Sequence, residues 1–171
     1  MALIPSFLLR GLNYAPAGAI VSLRRDLQKN VNADPVARRF IMSSRTKDDA
    51  RDWVNNAKSF YRAAGKRIAL AEFTNPNGMF IQDEMYIYVL NPKGTMLAHG
   101  INEKFVGEDF IDLMDSDGKK FIKEIVDTAN SEGKGWVEYK WYHPTTKQWL
   151  PKVAYFEKVD DLIIVSAIYG T

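Results

Sequence analysis

The chain has no cysteine and only two histidines, His99 and His143, in 171 residues. Disulfides, thiolate nucleophiles, cysteine-built metal sites and histidine-rich metal centres are all excluded. No Gly-x-Ser-x-Gly, P-loop, His-Glu-x-x-His or dinucleotide-binding fingerprint occurs, so the expectation is a non-enzymatic protein without a cofactor. Repeats and low-complexity tracts are missing. So is an apolar run long enough to span a bilayer: residues 15–23 are apolar in patches, but Asn13, Pro16 and the flanking Arg10 keep the segment short. The opening MALIPSFLLRG puts apolar residues ahead of the first basic one, the reverse of a secretory leader, and Pro5 interrupts it. A cytoplasmic location is expected, with possible membrane association through the first 45 residues.

What is present is an ordinary globular balance, 46% apolar and 26% charged, with a net charge of +2 that is unevenly spread. Residues 1–45 carry seven Lys or Arg against Asp26 and Asp34. This basic, partly apolar arm, with one helical stretch expected over 19–30, suits an acidic protein partner or a membrane surface; simple solvation of its charge is the alternative. It shows no basic residues interleaved with aromatics, so nucleic acid is not an expected partner.

A strong helix start follows at Thr46, with Asp49 three residues on as a capping box. Ala50, Trp53, Val54, Ala57, Phe60, Tyr61 and Ala64 recur at helical spacing to Gly65, and a second helix is expected over 66–73. Asn75-Pro76-Asn77-Gly78 then breaks the chain. Strands are expected over 84–90 and 95–99, joined by Asn91-Pro92-Lys93-Gly94. After a long connection over 100–117, Phe121, Ile122, Ile125, Val126 and Ala129 mark one face of a helix capped by Asp115-Ser116-Asp117-Gly118. Strands over 136–142, 152–158 and 162–169 close the chain, with turns at His143-Pro144-Thr145-Thr146 and Asp160-Asp161. The fold class is α+β: a PAS-like five-stranded antiparallel sheet with a long N-terminal helix and an inserted helix, residues 46–171 forming one domain.

The aromatic density of the last hairpin stands out. Trp136, Tyr139, Trp141, Tyr142, Trp149 and Tyr155 cluster around one well-placed cation, Lys152. Rings that exclude water around one ammonium suit a small carboxylate, because the charge then acts at a lower effective dielectric. Strand alternation puts Val137, Tyr139 and Trp141 inward, opposite Glu138 and Lys140, and sets Tyr86 and Tyr88 opposite Met85, Ile87 and Val89. Trp136 follows Gly135 at an expected bulge and reads as structural.

The segments NPNGMF, YIYVLNPKGTMLAHG, VGEDFIDLMDSDGKKFIKEI, GKGWVEYKWYHPTTKQWLPKVAYF and the final YG resemble the single Cache domain, a PAS-like sensor module, over roughly residues 48–171. The resemblance implies a ligand-binding part of chemoreceptors and sensor kinases, usually outside the cytoplasm, many of which bind short carboxylates. Family members usually carry Asp where Asn91 stands and Pro where Gly100 stands; both positions lie at turns.

The candidate site residues are Lys152, Tyr139, Trp141, Tyr155, Tyr86, Tyr88 and His99. Lys152 would donate charge-assisted hydrogen bonds to the ligand carboxylate; its alternative is a solvent-facing lysine on an edge strand. Tyr139, Trp141 and Tyr155 would form walls and donors, or simply pack in the core, as would Tyr86 and Tyr88. His99 would hydrogen-bond the ligand, or serve structurally. Asp109, Asp112, Asp115 and Asp117 lack calcium-loop spacing, so no metal is expected. Asp48-Asp49 and Asp160-Asp161 read as solvated groups at a helix start and a turn. The functional expectation is non-catalytic binding of a small organic acid; the rival is an interaction subunit that uses the fold as scaffold and residues 1–45 as its grip.

Overall fold

The helix start expected at Thr46 is built as a reciprocal cap. In the computed structural model, which describes residues 45–143 and 145–170, the Thr46 hydroxyl accepts from the Asp49 N–H at 3.3 Å. The Asp49 carboxylate accepts in return from the Thr46 N–H at 2.7 Å. These bonds help satisfy N–H groups at the helix start that lack an i−4 carbonyl partner. Helix α1, Lys47–Ala64, follows with Ala50, Val54 and Ala57 fully buried, and helix α2 runs Lys66–Thr74 beyond Gly65 at φ 81°. The Asp160-Asp161 turn is more than a solvated pair: Asp160 accepts from the Tyr61 hydroxyl at 2.7 Å, and Asp161 pairs with the Lys66 ammonium. Residues 1–44 of the basic arm, with its expected helical stretch over 19–30, and Pro144 lie outside the described residues.

Among the described residues, five of the six strands are those expected, each within a few residues of its expected bounds: β2 Met85–Leu90, β3 Met96–His99, β4 Lys134–His143, β5 Gln148–Val159 and β6 Leu162–Tyr169. The sixth, β1 Ile81–Gln82, is a two-residue strand that hairpins onto β2 through Asp83 at φ 56°. Two residues are too few to show any alternation, so no sequence pattern marks it. The sheet runs β1-β2-β6-β5-β4 with β3 on β2, every pairing antiparallel. Helix α3, Phe121–Glu132, enters between β3 and β4 and ends at Gly133 in the left-handed region.

Alternation sorts the core into two layers. Met85, Ile87, Val89, Val153, Ile164 and Ile168 face α1 and α2. Tyr86, Tyr88, Leu90, Val137, Tyr139, Phe156 and Val165 face α3 and the long connection. A side chain's layer is therefore decided by the parity of its position in its strand. The β4–β5 register runs unbroken from the Lys134–Glu157 pair to the His143–Gln148 pair, so the bulge expected at Gly135 is absent. Gly135 is small for a different reason: a Cβ there would sit 2.9 Å from the Phe156 ring.

The connection after β3 folds back along that strand. The N–H of Gly107 donates to Met96, Met96 to Glu108 and Phe110 to Gly94, at 2.8 to 3.0 Å. The free edge of β3 is thereby covered. Asp115 clasps the far end: its carboxylate accepts from the N–H groups of Asp117, Lys119 and Lys140, each at 2.9 Å. It does not cap α3 as expected; Lys120 holds that position and provides no side-chain cap. Burial alone would raise the Asp115 pKa, but the three N–H donors outweigh it and hold the carboxyl below its usual range.

Side-chain contacts link Arg45, the β1–β2 turn and the end of β6. The Arg45 guanidinium pairs with Asp83 at 2.9 Å beside the β1–β2 turn. The neighbouring Glu84 meets His143, whose ring lies 4.7 Å from that of Tyr169, and the Gly170 N–H bonds to Pro151 O.

Candidate ligand-binding site

Lys152 is the centre of the site. It stands on β5 opposite Tyr139 of β4 on one side and Tyr169 of β6 on the other. Its side chain points into the α3 layer and is 1% exposed. The ammonium lies 3.5 Å from the Tyr86 hydroxyl, 4.8 Å from the Tyr86 ring centre and 4.6 Å from that of Tyr169. Among the described residues no carboxylate lies within ion-pairing distance of it. Burial lowers its pKa from 10.5 to about 8, opposed only by the more distant charge of Glu84. The edge-strand alternative is ruled out: β5 is flanked on both sides.

Around this cation the structure gathers hydrogen-bond donors. His99 Nδ1 accepts from the N–H groups of Ile101 and Asn102 at 3.4 and 3.1 Å. The ring proton of the neutral imidazole is therefore on Nε2, free to donate. Burial, then the Lys152 charge, push the His99 pKa down to about 4, so the ring is neutral near pH 7. The Tyr88 hydroxyl is buried and makes no well-formed hydrogen bond among the described residues, with only the Tyr139 hydroxyl close enough to interact with it. Burial raises the pKa values of Tyr86, Tyr88 and Tyr139, which stay protonated. A buried hydroxyl without a well-formed bond marks a place where a ligand atom or water is owed one.

The space in front of these groups has two parts. An inner cavity of about 30 Å³ lies among Tyr88, Met96, Phe110, Leu113, Phe121 and Tyr139. An outer cleft of about 400 Å³ is bordered by Asp83, Glu84, Ile101, Asn102, Tyr142 and Tyr169. Tyr86, His99, Phe105 and Trp141 line both. Lys152 sits behind Tyr86 and Tyr169, which stand between its ammonium and the cleft. At the rim, Glu84 Oε1 meets His143 Nε2 at 2.6 Å, while His143 Nδ1 accepts from the N–H groups of Thr145 and Thr146. Both histidines therefore terminate their strands with the same turn.

The structure brings together six of the seven expected residues: Lys152, Tyr86, Tyr88, His99, Tyr139 and Trp141. Tyr155 is a correction. It lies three positions from Lys152, so it points to the opposite face, where it packs with the α1 layer and meets Trp136 at 4.8 Å between ring centres. The odd spacing was visible in the sequence and should have excluded it. Phe105 and Phe110 were missed because the connection has no periodicity to aim them. Tyr169 was missed although it lies at even spacing from Val165 and Ala167 on the pocket face.

Among the described residues no group of three or more His, Asp or Glu stands close enough to hold a metal ion. Asp109 accepts from the Ile111 N–H, and Asp112 and Asp117 pair with Lys120 and Lys140. One cation, hydroxyl and imidazole donors and aromatic walls converge beside this cleft.

A family model described as "Single Cache domain 2" matches residues 34–169. A methyl-accepting chemotaxis protein from Vibrio parahaemolyticus has the same fold, with a TM-score of 0.62 at 20% identity over 86% of this chain and 96% of that one. A Cache chemosensory domain whose structure is described as the basis for carboxylic acid recognition gives 0.56 at 21% identity, over 86% of this chain and 98% of that one. A periplasmic sensor domain of a chemotaxis protein gives 0.57 at 22% identity, covering 72% of this chain and 90% of that one. The sensor histidine kinase MctS of Rhizobium johnstonii is 33% identical over 75 residues, 44% of this chain but only 16% of the kinase.

Proposed function

The chain belongs to the single Cache domain 2 family, and from that premise we propose that it binds a small organic acid, without catalysis, as the input of a signalling system. The observation that carries the reading is Lys152: a buried ammonium with no carboxylate beside it among the described residues, close to the Tyr86 hydroxyl and the His99 imidazole. An unpaired buried charge is expensive, and a protein that keeps one in a ring-lined pocket is poised to pair it with a ligand. In this reading the carboxylate accepts from Lys152 Nζ, the Tyr88 hydroxyl and His99 Nε2. Trp141, Tyr139 and Phe105 enclose the apolar part, and Tyr86 orients the ammonium.

Cache domains are sensor modules that typically work outside the cell or in the periplasm. The cytoplasmic location expected from the opening residues draws no support from the relatives, one of which is a periplasmic sensor domain. Among the described residues no helix is long and apolar enough to cross a membrane. We place the domain outside the cytoplasm.

The test is thermal unfolding and calorimetric titration of the full chain with acetate, propionate, pyruvate and lactate. Ligand at a hundredfold excess over Kd should stabilise the fold by about 2.7 kcal/mol, and Lys152→Met should abolish the effect. A folded protein that none of these acids stabilises would refute the reading.

A further inference from the structure

The Lys152 ammonium is not open to the cleft. Two rings stand over it, Tyr86 at 4.8 Å and Tyr169 at 4.6 Å. A carboxylate that reaches Nζ has to displace one of them, because the negative face of a ring and a carboxylate seek the same side of a cation and repel each other.

The two rings are held very differently. Tyr86 is buried on β2, packed 4.9 Å from the His99 ring, in a strand whose six residues are all buried. Tyr169 is half-buried and is the last residue of β6. Among the described residues its hydroxyl makes one weak bond, to Tyr142 O at 3.3 Å, and its ring packs on the Lys152 ammonium and the His143 ring. Gly170, at φ 85°, follows immediately. Tyr169 is therefore the more weakly held of the two rings, and β6 ends with it.

We propose that Tyr169 couples the pocket to the departing chain: it holds Lys152 by a cation–π contact in the empty site, and an incoming carboxylate takes the ammonium from it and releases the end of β6. The inference rests on the carboxylate reading and adds how occupancy is reported. The displaced ring also frees its neighbours, Tyr142 on β4 and His143, whose Nε2 is bonded to Glu84 across the cleft mouth. Release should therefore loosen the β4–β5 tip together with the exit strand.

The experiment is hydrogen–deuterium exchange on the full chain, free and saturated with propionate, alongside calorimetric titration. Wild type should bind propionate, gain protection around His99 and Phe105, and lose protection over residues 166–170 and the β4–β5 tip. Tyr169→Leu removes the competing ring, so it should bind propionate about threefold to thirtyfold more tightly, with no ligand-dependent change over 166–170. Tyr169→Phe keeps the ring and should retain wild-type affinity and response, which separates the ring's role from the hydroxyl's.

Propionate binding by wild type with a silent exit strand would overturn the coupling and leave the carboxylate reading intact. So would weaker binding by Tyr169→Leu, which would make Tyr169 a wall of the bound site. Failure of folded wild type to bind any of the four acids would overturn both.

Discussion

Replacing Lys152 by Met tests the site through stability as well as binding. Met has nearly the volume of the lysine stem and no charge to desolvate. The fall of the Lys152 pKa from 10.5 to about 8 corresponds to roughly 3 kcal/mol of penalty for the buried charge near neutral pH. The two ring contacts return part of it, on the order of 1 kcal/mol in total. Lys152→Met should therefore stabilise the ligand-free protein by about 2 kcal/mol and raise its Tm by several degrees, while removing the response to propionate. The pH dependence carries its own sign. Below about pH 8 the lysine is charged both folded and unfolded, and the penalty is fully present. Between about 8 and 10.5 the unfolded chain holds a proton that the folded chain has released, so wild-type stability rises through that window relative to the Met variant. Propionate affinity falls over the same range, about tenfold per pH unit, because the ligand needs the ammonium. Calorimetric unfolding of both proteins between pH 7 and 10.5 reads all of this. A Met variant less stable than wild type, or one still stabilised by propionate, would refute the argument.

His99, held near a pKa of 4 by burial and by Lys152, is neutral when folded and charges more readily when unfolded. It should contribute a loss of stability on the order of 3 kcal/mol as pH falls from about 6.5 to about 4, an increment that His99→Asn should lack in acid unfolding curves. Asp115→Asn would set an amide N–H against the Lys140 or Lys119 N–H it now accepts from. A cost of about 2–4 kcal/mol should appear with faster amide exchange across residues 100–120. Gly94→Ala forces a Cβ to 2.9 Å from the Ile111 side chain at φ 99°. It should lower the denaturation midpoint by an amount equivalent to about 2–3 kcal/mol and weaken propionate binding through the displaced connection. Tyr155→Phe, on the other face of the sheet, should leave propionate affinity within twofold of wild type; a larger change by titration would contradict the assignment of faces.

The parts of the fold that follow from periodicity were legible. The capping box at Thr46, the buried stripe of Phe121, Ile122, Ile125, Val126 and Ala129, and the sorting of Tyr86 and Tyr88 against Ile87 and Val89 all rest on local pattern. The pocket was legible to the same extent. Tyr139 and Trp141 came from alternation, and Lys152 stood out as one cation among rings. Aromatic chemistry near Lys152 points to Tyr155, but geometry decides against it, because three residues along a strand reverse the face. The rest depended on long-range packing. Which backbone groups Asp115 serves, 25 positions away at Lys140, is fixed by where the connection lands on β4, and no local signal encodes that. The screening of Lys152 by Tyr169 arises from the β5–β6 register, which becomes visible only once the sheet is assembled.

Arg45 pairs with Asp83 in the β1–β2 turn, Glu84 of that turn meets His143, and the His143 ring packs on Tyr169. One short turn therefore ties the residue just ahead of α1 to the end of β6, and a disturbance at Tyr169 has a path of three side-chain contacts to Arg45.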